Sequence, residues 1–248
     1  MLRAKNTPNL LGIEVSGDYD DLQALYHALH EVVGEEGEYP SFEEARLRVL
    51  GVCYDVRHAL QGHRRVELYP NGLTEDMMRF HGLIAPQENV RFSFETLYPE
   101  ALFVAAALND FLILYADKRG ETPYGLYMNP NQDLHVVHVH HFQALIIQCV
   151  REAVSPTAFK RFLKATDTRF PWSQNYTTQY LDYLNLEYAK KSPSRRASSI
   201  ATMMEKMIAR GPEYHSIEQD VIRFAQERGC ALEDVTLQAD IDWDAVEW

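Results

Sequence analysis

A chain of 248 residues, 46% hydrophobic and 24% charged, buries a substantial core as one large domain or two small ones, and its composition excludes disordered and fibrous classes. The formal net charge of -12, from 36 Asp and Glu against 24 Lys and Arg, repels polyphosphates and anionic lipid and argues against a duplex-DNA binder. Cys53, Cys149 and Cys230 form no Cys-x-x-Cys pair, which disfavours a thiolate zinc site and a disulfide framework and fits a reducing cytoplasm.

The start, "MLRAKNTPNLLG", lacks the long apolar region of a signal peptide. No charge-free apolar stretch reaches the roughly 18 residues of a membrane span. A soluble, cytoplasmic protein without membrane contact is therefore expected.

In chain order, "NLLGIEVSG" reads as a first strand. "DYDDLQALYHALHEVV" follows as a helix capped by Asp18 or Asp20, with Leu22, Leu25, Leu29, Val32 and Val33 on one face. The acidic link "GEEGEYPS" leads to a second helix, "FEEARLRVLGVCYDVRHAL", ended by Gly62. "HRRVELYPNG" is a short strand plus turn, and the alternation in "ENVRFSFETL" marks another strand. "PEALFVAAALNDFLILYA" is the strongest helix, with Pro99 in its first turn and apolar residues around nearly its whole circumference.

"DKRGETPYGLYMNPNQD" is a long loop. Beyond it only helical patterns occur: one with the histidines, one from Pro156, then "TTQYLDYLNLEYA", "SSIATMMEKMIA" and "SIEQDVIRFAQERG". The basic stretch "AKKSPSRRASS", with Lys190, Lys191, Arg195 and Arg196, reads as an interhelical loop. The tail offers a late strand and an acidic end with Trp243 and Trp248. The fold class is helix-rich α+β, with a small antiparallel sheet in the N-terminal half and a helical C-terminal half. The expected division is an α+β half over 1–117, a connecting loop over 118–134 and a mainly helical half over 135–248, as separate halves or one integrated domain.

Four histidines crowd "DLHVVHVHHFQALIIQC". On a helical wheel whose stripe is Phe142, Leu145, Ile146 and Cys149, His138 falls inside, His135 and His141 flank it, and His140 points away. His138 can pair with His135 or His141 at i,i+3, or with His140 if "LHVVHVHH" is a strand, and a divalent metal would need further ligands, with His27, His30 and Glu31 on the first helix and Asp55 with His58 on the second as candidates.

Asn109 and Asp110 interrupt an almost wholly apolar helix. A buried carboxylate is costly unless paired, so Asp110 is expected to meet Arg57 or His58, with Asp55 nearby. That set, Asp55, Arg57, His58, Asn109 and Asp110, is the candidate polar pocket. The Arg-x(4 to 6)-His spacing of HEPN ribonucleases occurs twice, in Arg57 to His63 and in Arg210 to His215, where Arg would stabilise phosphate charge and His shuttle a proton. Gly62 at a helix end and the Gly211-Pro212 break weaken both matches.

"NLLGIEVSGDYDDLQALYHALHEVVG", "RLRVLGVCYDVRHAL" and "EALFVAAALNDFLILYA" resemble an uncharacterised bacterial protein family, a domain of unknown function, over roughly the N-terminal two thirds of the chain. The most specific part is "LGVCYDVRHA". The resemblance implies a bacterial intracellular origin and assigns no activity or catalytic residue. Phosphate-binding loops, nucleophile elbows and His-Glu-x-x-His motifs are absent from the sequence.

The leading expectation is a non-catalytic or regulatory protein acting through protein contacts, self-association included. It rests on the acidic surface and on the aromatic-rich segments "TRFPWSQNYTTQYLDYLNLEY" and "DWDAVEW" as interface anchors. The alternative is an enzyme, either a metal-dependent hydrolase using the His and Asp cluster or an HEPN-like ribonuclease.

Overall fold

Strand β2 (Gly12–Gly17) is buried along its whole length because strands hydrogen-bond to it on both sides. The structure, a computed structural model, describes residues 1–122, 124–125, 132–168, 170–237, 246 and 248. β1 (Arg3–Asn6) and β4 (Glu88–Leu97) flank β2, and β3 (Arg65–Pro70) pairs with the outer part of β4. The order is β1-β2-β4-β3, antiparallel throughout.

Alternation assigns the faces. Ile13, Val15 and Phe94 enter the core, whereas Glu14 points to the opposite face, paired with Lys5 at 3.2 Å and Arg65 at 3.6 Å. Gly12 permits the tight entry to β2, since a Cβ there would stand 1.9 Å from the Thr96 carbonyl oxygen.

Nine α-helices are found among the described residues: α1 (Tyr19–Val33), α2 (Glu43–Leu60), α3 (Glu75–His81), α4 (Tyr98–Lys118), α5 (Leu134–Ala153), α6 (Pro156–Thr166), α7 (Gln179–Ala189), α8 (Pro193–Ala209) and α9 (Pro212–Arg228). The molecule is thus helix-rich α+β, with its sheet in the N-terminal half and helices in the C-terminal half. Asp18 caps α1 in a capping box closed by Asp21. α4 is long and apolar enough to cross a membrane, yet 72% of its apolar window is buried inside the fold by the sheet and the surrounding helices.

One cluster of buried side chains extends from Leu2 to Tyr214. β1 is tied to α5 by Asn6, which donates to the Cys149 carbonyl at 3.0 Å and accepts from the Tyr98 hydroxyl.

Two elements lie outside the expected pattern. β1 has only four residues, too few for alternation to register, and α3 buries none of its side chains, so neither produces a hydrophobic period. The basic stretch is corrected as well. Pro193 opens α8, so Arg195 and Arg196 are helical, and Arg196 is buried with its guanidinium donating to the Asn9 and Ala189 carbonyls. In the tail, residues 231–237 form no strand, and Trp243 lies outside the described residues, as do 123 and 126–131 of the connecting loop.

Candidate functional site

The buried stripe of α2 runs through Ala45, Val49, Val52, Cys53, Val56 and Ala59, which turns Arg57 outward. Arg57 lies over the Tyr54 ring at 5.4 Å. His58 faces His63 across 3.1 Å between Nδ1 atoms. Asp55 pairs with Arg64 at 2.7 Å.

The expected meeting of Asp110 with Arg57 or His58 does not occur. Oδ2 of Asp110 instead accepts from the Trp172 amide at 3.0 Å, the Ser173 amide at 2.8 Å and the Ser173 hydroxyl at 2.6 Å. Burial pushes its carboxyl above the usual range, opposed by those donors and by Arg210. Asn109 goes elsewhere, accepting at 2.9 Å from Gln143 of α5. The five-residue polar pocket is therefore three separate arrangements.

The histidines do not converge either. The buried stripe of α5 is Val136, Val139, Phe142, Ile146, Cys149 and Val150, rotated from the expected one, so His138 is half-exposed like His135, His140 and His141. The cause is Val136 and Val139, which continue the apolar face toward the N-terminus and away from Leu145, which the wheel had counted in the stripe. His27 and His30 are exposed on α1 around the Tyr26 ring, and Glu31 is exposed as well. Among the described residues no group of three or more His, Cys, Asp or Glu is placed to hold a metal ion.

Of the second Arg-to-His match, Arg210 ends α8 at φ 46°, donates to the Trp172 and Gln174 carbonyls and lies over the Tyr176 and Tyr214 rings. His215 pairs with Glu218 on α9. Much of the aromatic segment is core, although Phe170 is 79% exposed. Trp172, Tyr176, Tyr180 and Tyr214 are buried, with ring centroids 5.0 to 5.4 Å apart along the chain of contacts from Phe103. These rings are not available as interface anchors.

What the fold does assemble is a cleft of about 560 Å³ between α2, α7 and the segment 233–236. At its floor Arg48 donates to Glu100 at 3.0 Å, to Asp182 at 2.8 Å and to the Thr178 carbonyl at 3.0 Å. Asn185 adds a bond to Glu100 at 2.8 Å. Glu44 takes the Thr178 amide and hydroxyl at 3.0 and 3.1 Å, so it closes the open N-terminal turn of α7. Burial raises the Glu100 carboxyl against the pull of Arg48, while Asp182 and Glu100 together hold the Arg48 charge firmly despite its burial.

Of the residues that line this cleft, only Asp55 was singled out from the sequence. One signal was legible: Gly51, in the middle of α2, faces the cleft with open space where a Cβ would sit. A mid-helix glycine costs about 1 kcal/mol relative to alanine.

The second feature is an arm. β3, α3 and the outer half of β4 project from the body, with Phe80 85% exposed and Ile84 fully so. The register pairs Val66 with Phe92 and Leu68 with Val90, so one face of the ribbon is apolar. At the outer end of the ribbon Asn71 closes the segment that carries α3, through the Pro86 carbonyl at 2.8 Å and Asn89 at 3.2 Å. Beside it lies a groove of about 720 Å³ lined by Leu68, Pro70, Leu73, Pro86 and Val90.

No curated protein and no solved structure matches the chain. A family model described as a domain of unknown function, DUF6904, matches residues 2–248. The match extends well past the N-terminal two thirds to which the resemblance had been assigned, so the chain belongs, over nearly its whole length, to the DUF6904 family.

Proposed function

We propose that this protein is a non-catalytic, regulatory protein that acts through protein contacts made by the arm, and that the first of these contacts is with a second copy of itself. The observation that carries the reading is the exposed apolar surface of Val66, Leu68, Phe80, Ile84 and Val90 on one projecting unit. Apolar exposure gathered on one unit in this way marks association surfaces. Among the described residues β3 is the last strand of the sheet, so no described strand pairs with its outer backbone edge.

The choice of a second copy rests on charge. If two β3 strands pair antiparallel about a two-fold axis at Val66, each Arg65 lies opposite the other copy's Glu67, twice over, as an isologous interface requires. Pro70 ends the pairing edge because it has no amide hydrogen. Three free cysteines and the burial of α4 in the core support a reducing, aqueous compartment, the cytoplasm.

Sedimentation equilibrium on tag-free protein tests this. The wild type should associate reversibly to a dimer, and Leu68→Asp or the double variant Phe80→Ser/Ile84→Ser should sediment as a monomer with an unchanged circular dichroism spectrum. A wild type that stays monomeric at all concentrations, or a dimer indifferent to these substitutions, overturns the proposal.

A further inference from the structure

We propose that a cavity between α4, α5 and α6 is a binding site for a small uncharged molecule that joins an apolar ring to one carbonyl oxygen. The cavity holds about 270 Å³ and is walled by Leu102 and Ala106 of α4, Ile147 of α5 and Phe162 of α6. Three polar side chains, Asn109, His140 and Gln143, line it as well. Leu102, Ala106 and Asn109 fall at i, i+4 and i+7, so one face of α4 presents both the apolar wall and the amide.

A backbone carbonyl fixes the direction of the polar chain. Gln143, 7% exposed, donates from Nε2 to the Ala105 carbonyl at 2.7 Å and to Oδ1 of Asn109 at 2.9 Å. Turning its amide over would set oxygen against the Ala105 oxygen, so Nε2 stays in place with both hydrogens spent. Oε1 of Gln143 is then the atom that meets Nδ1 of His140 at 3.0 Å, and it accepts a proton bond from that nitrogen. The same logic orients Asn109. Its Oδ1 is held by Gln143, which leaves Nδ2 as a donor with no hydrogen-bond partner among the described residues. Asn109 is half-buried, and Nδ2 is not one of the unpartnered atoms sealed from solvent, as the Tyr176 hydroxyl is. A donor that is oriented, unspent and reachable in an apolar recess suits an acceptor oxygen on a ligand.

Two further features narrow the class. No carboxylate, ammonium or guanidinium group lines the cavity among the described residues. A charged ligand would lose its hydration there against apolar walls with no opposite charge to replace it. The volume lies just under the roughly 300 Å³ at which drug-sized sites begin, which limits the occupant to about one ring. Thr166, also in the lining, adds no second donor because its hydroxyl is turned to the Leu163 carbonyl at 3.0 Å.

Titration of ¹⁵N-labelled, tag-free protein with acetophenone, followed by NMR, tests the proposal. Ethylbenzene has nearly the same shape without the oxygen, and benzoate carries a charge; both serve as comparison probes. Acetophenone should bind saturably at one site per chain and shift the side-chain amide pair of Asn109, identified by its absence from the Asn109→Asp spectrum. Ethylbenzene should bind roughly three- to tenfold more weakly, the worth of one neutral hydrogen bond, and benzoate more weakly than acetophenone. Asn109→Asp keeps an acceptor for Gln143 and removes the donor, so it should lose the preference for acetophenone. Ala144→Phe places a ring at the exposed rim of the cavity and should abolish binding with an unchanged circular dichroism spectrum, whether or not Asn109→Asp folds. No saturable shift with acetophenone, equal binding of ethylbenzene, tighter binding of benzoate, or undiminished binding in Ala144→Phe would each overturn the proposal. None of these readouts depends on the oligomeric state, so the cavity and the arm stand or fall separately.

Discussion

Three donors converge on one oxygen of Asp110, and two of them are main-chain amides of the Trp172–Ser173 segment. The carboxylate is therefore the anchor that holds this segment against α4 and, with it, the aromatic cluster of Trp172 and Tyr176. Asp110→Leu would leave both amides buried and unpaired, so urea denaturation should show a loss of about 2–4 kcal/mol. Asp110→Asn keeps an acceptor and should cost less. The pH dependence has a definite sign. Because burial raises the Asp110 carboxyl, the stability linked to its proton is complete below the usual Asp range and is lost as pH rises through the raised value. Urea midpoints from pH 4 to 7 should accordingly show the wild type losing ground to Asp110→Asn as pH increases. An aspartate inside an apolar helix announced that a partner must exist. It did not say which, because the partner is 62 positions away and is a stretch of backbone.

At the scale of elements, α5 shows how an end is secured. Asp133 caps it, accepting from the His135 amide at 2.8 Å and the Val136 amide at 3.3 Å, while its other oxygen takes the Tyr115 hydroxyl and Arg119. Burial works against its charge, but the Tyr115 hydroxyl, the two amides and Arg119 outweigh it and hold the carboxyl below the usual range. Asp133→Ala should cost about 1–3 kcal/mol near neutral pH. For a lowered carboxyl the contribution is present above the ordinary Asp value and disappears as pH falls through the native one. Chemical denaturation of the two proteins should therefore converge as pH falls below the ordinary Asp range, and a gap that does not narrow in acid would refute the ionic part of the account. α3 is the opposite case: Thr74 caps it and Gly82 closes it in the left-handed conformation, yet no face is buried. Its local signals were present in the sequence, and its missing hydrophobic period is the property that makes the arm a candidate surface.

Across the whole molecule, the main core spans both halves of the chain and encloses Cys53 and Cys149, while Cys230 packs against a separate small cluster of Val221, Ala225 and Val235. Cys53 and Cys149 are buried, and burial pushes each thiol up to about 12. Cys230 is partly exposed at the end of α9. Native-state alkylation followed by mass spectrometry should label Cys230 first and the other two only on unfolding; labelling of all three at one rate would contradict the burial of Cys53 and Cys149 in the main core. Periodicity and end-capping chemistry sufficed to locate nearly every long element, from the α1 cap at Asp18 to the alternating strand at Glu88–Leu97, because those signals come from neighbours within a turn or two. Which faces meet was decided only in three dimensions. The partners of Arg48, Asp110 and Gln179 lie 52 to 134 positions away, and the aromatic segment turned inward for the same reason. A helical period states which side of a helix is apolar; the docking of several such sides against one another settles which polar groups are enclosed with them, and so where a cleft can form.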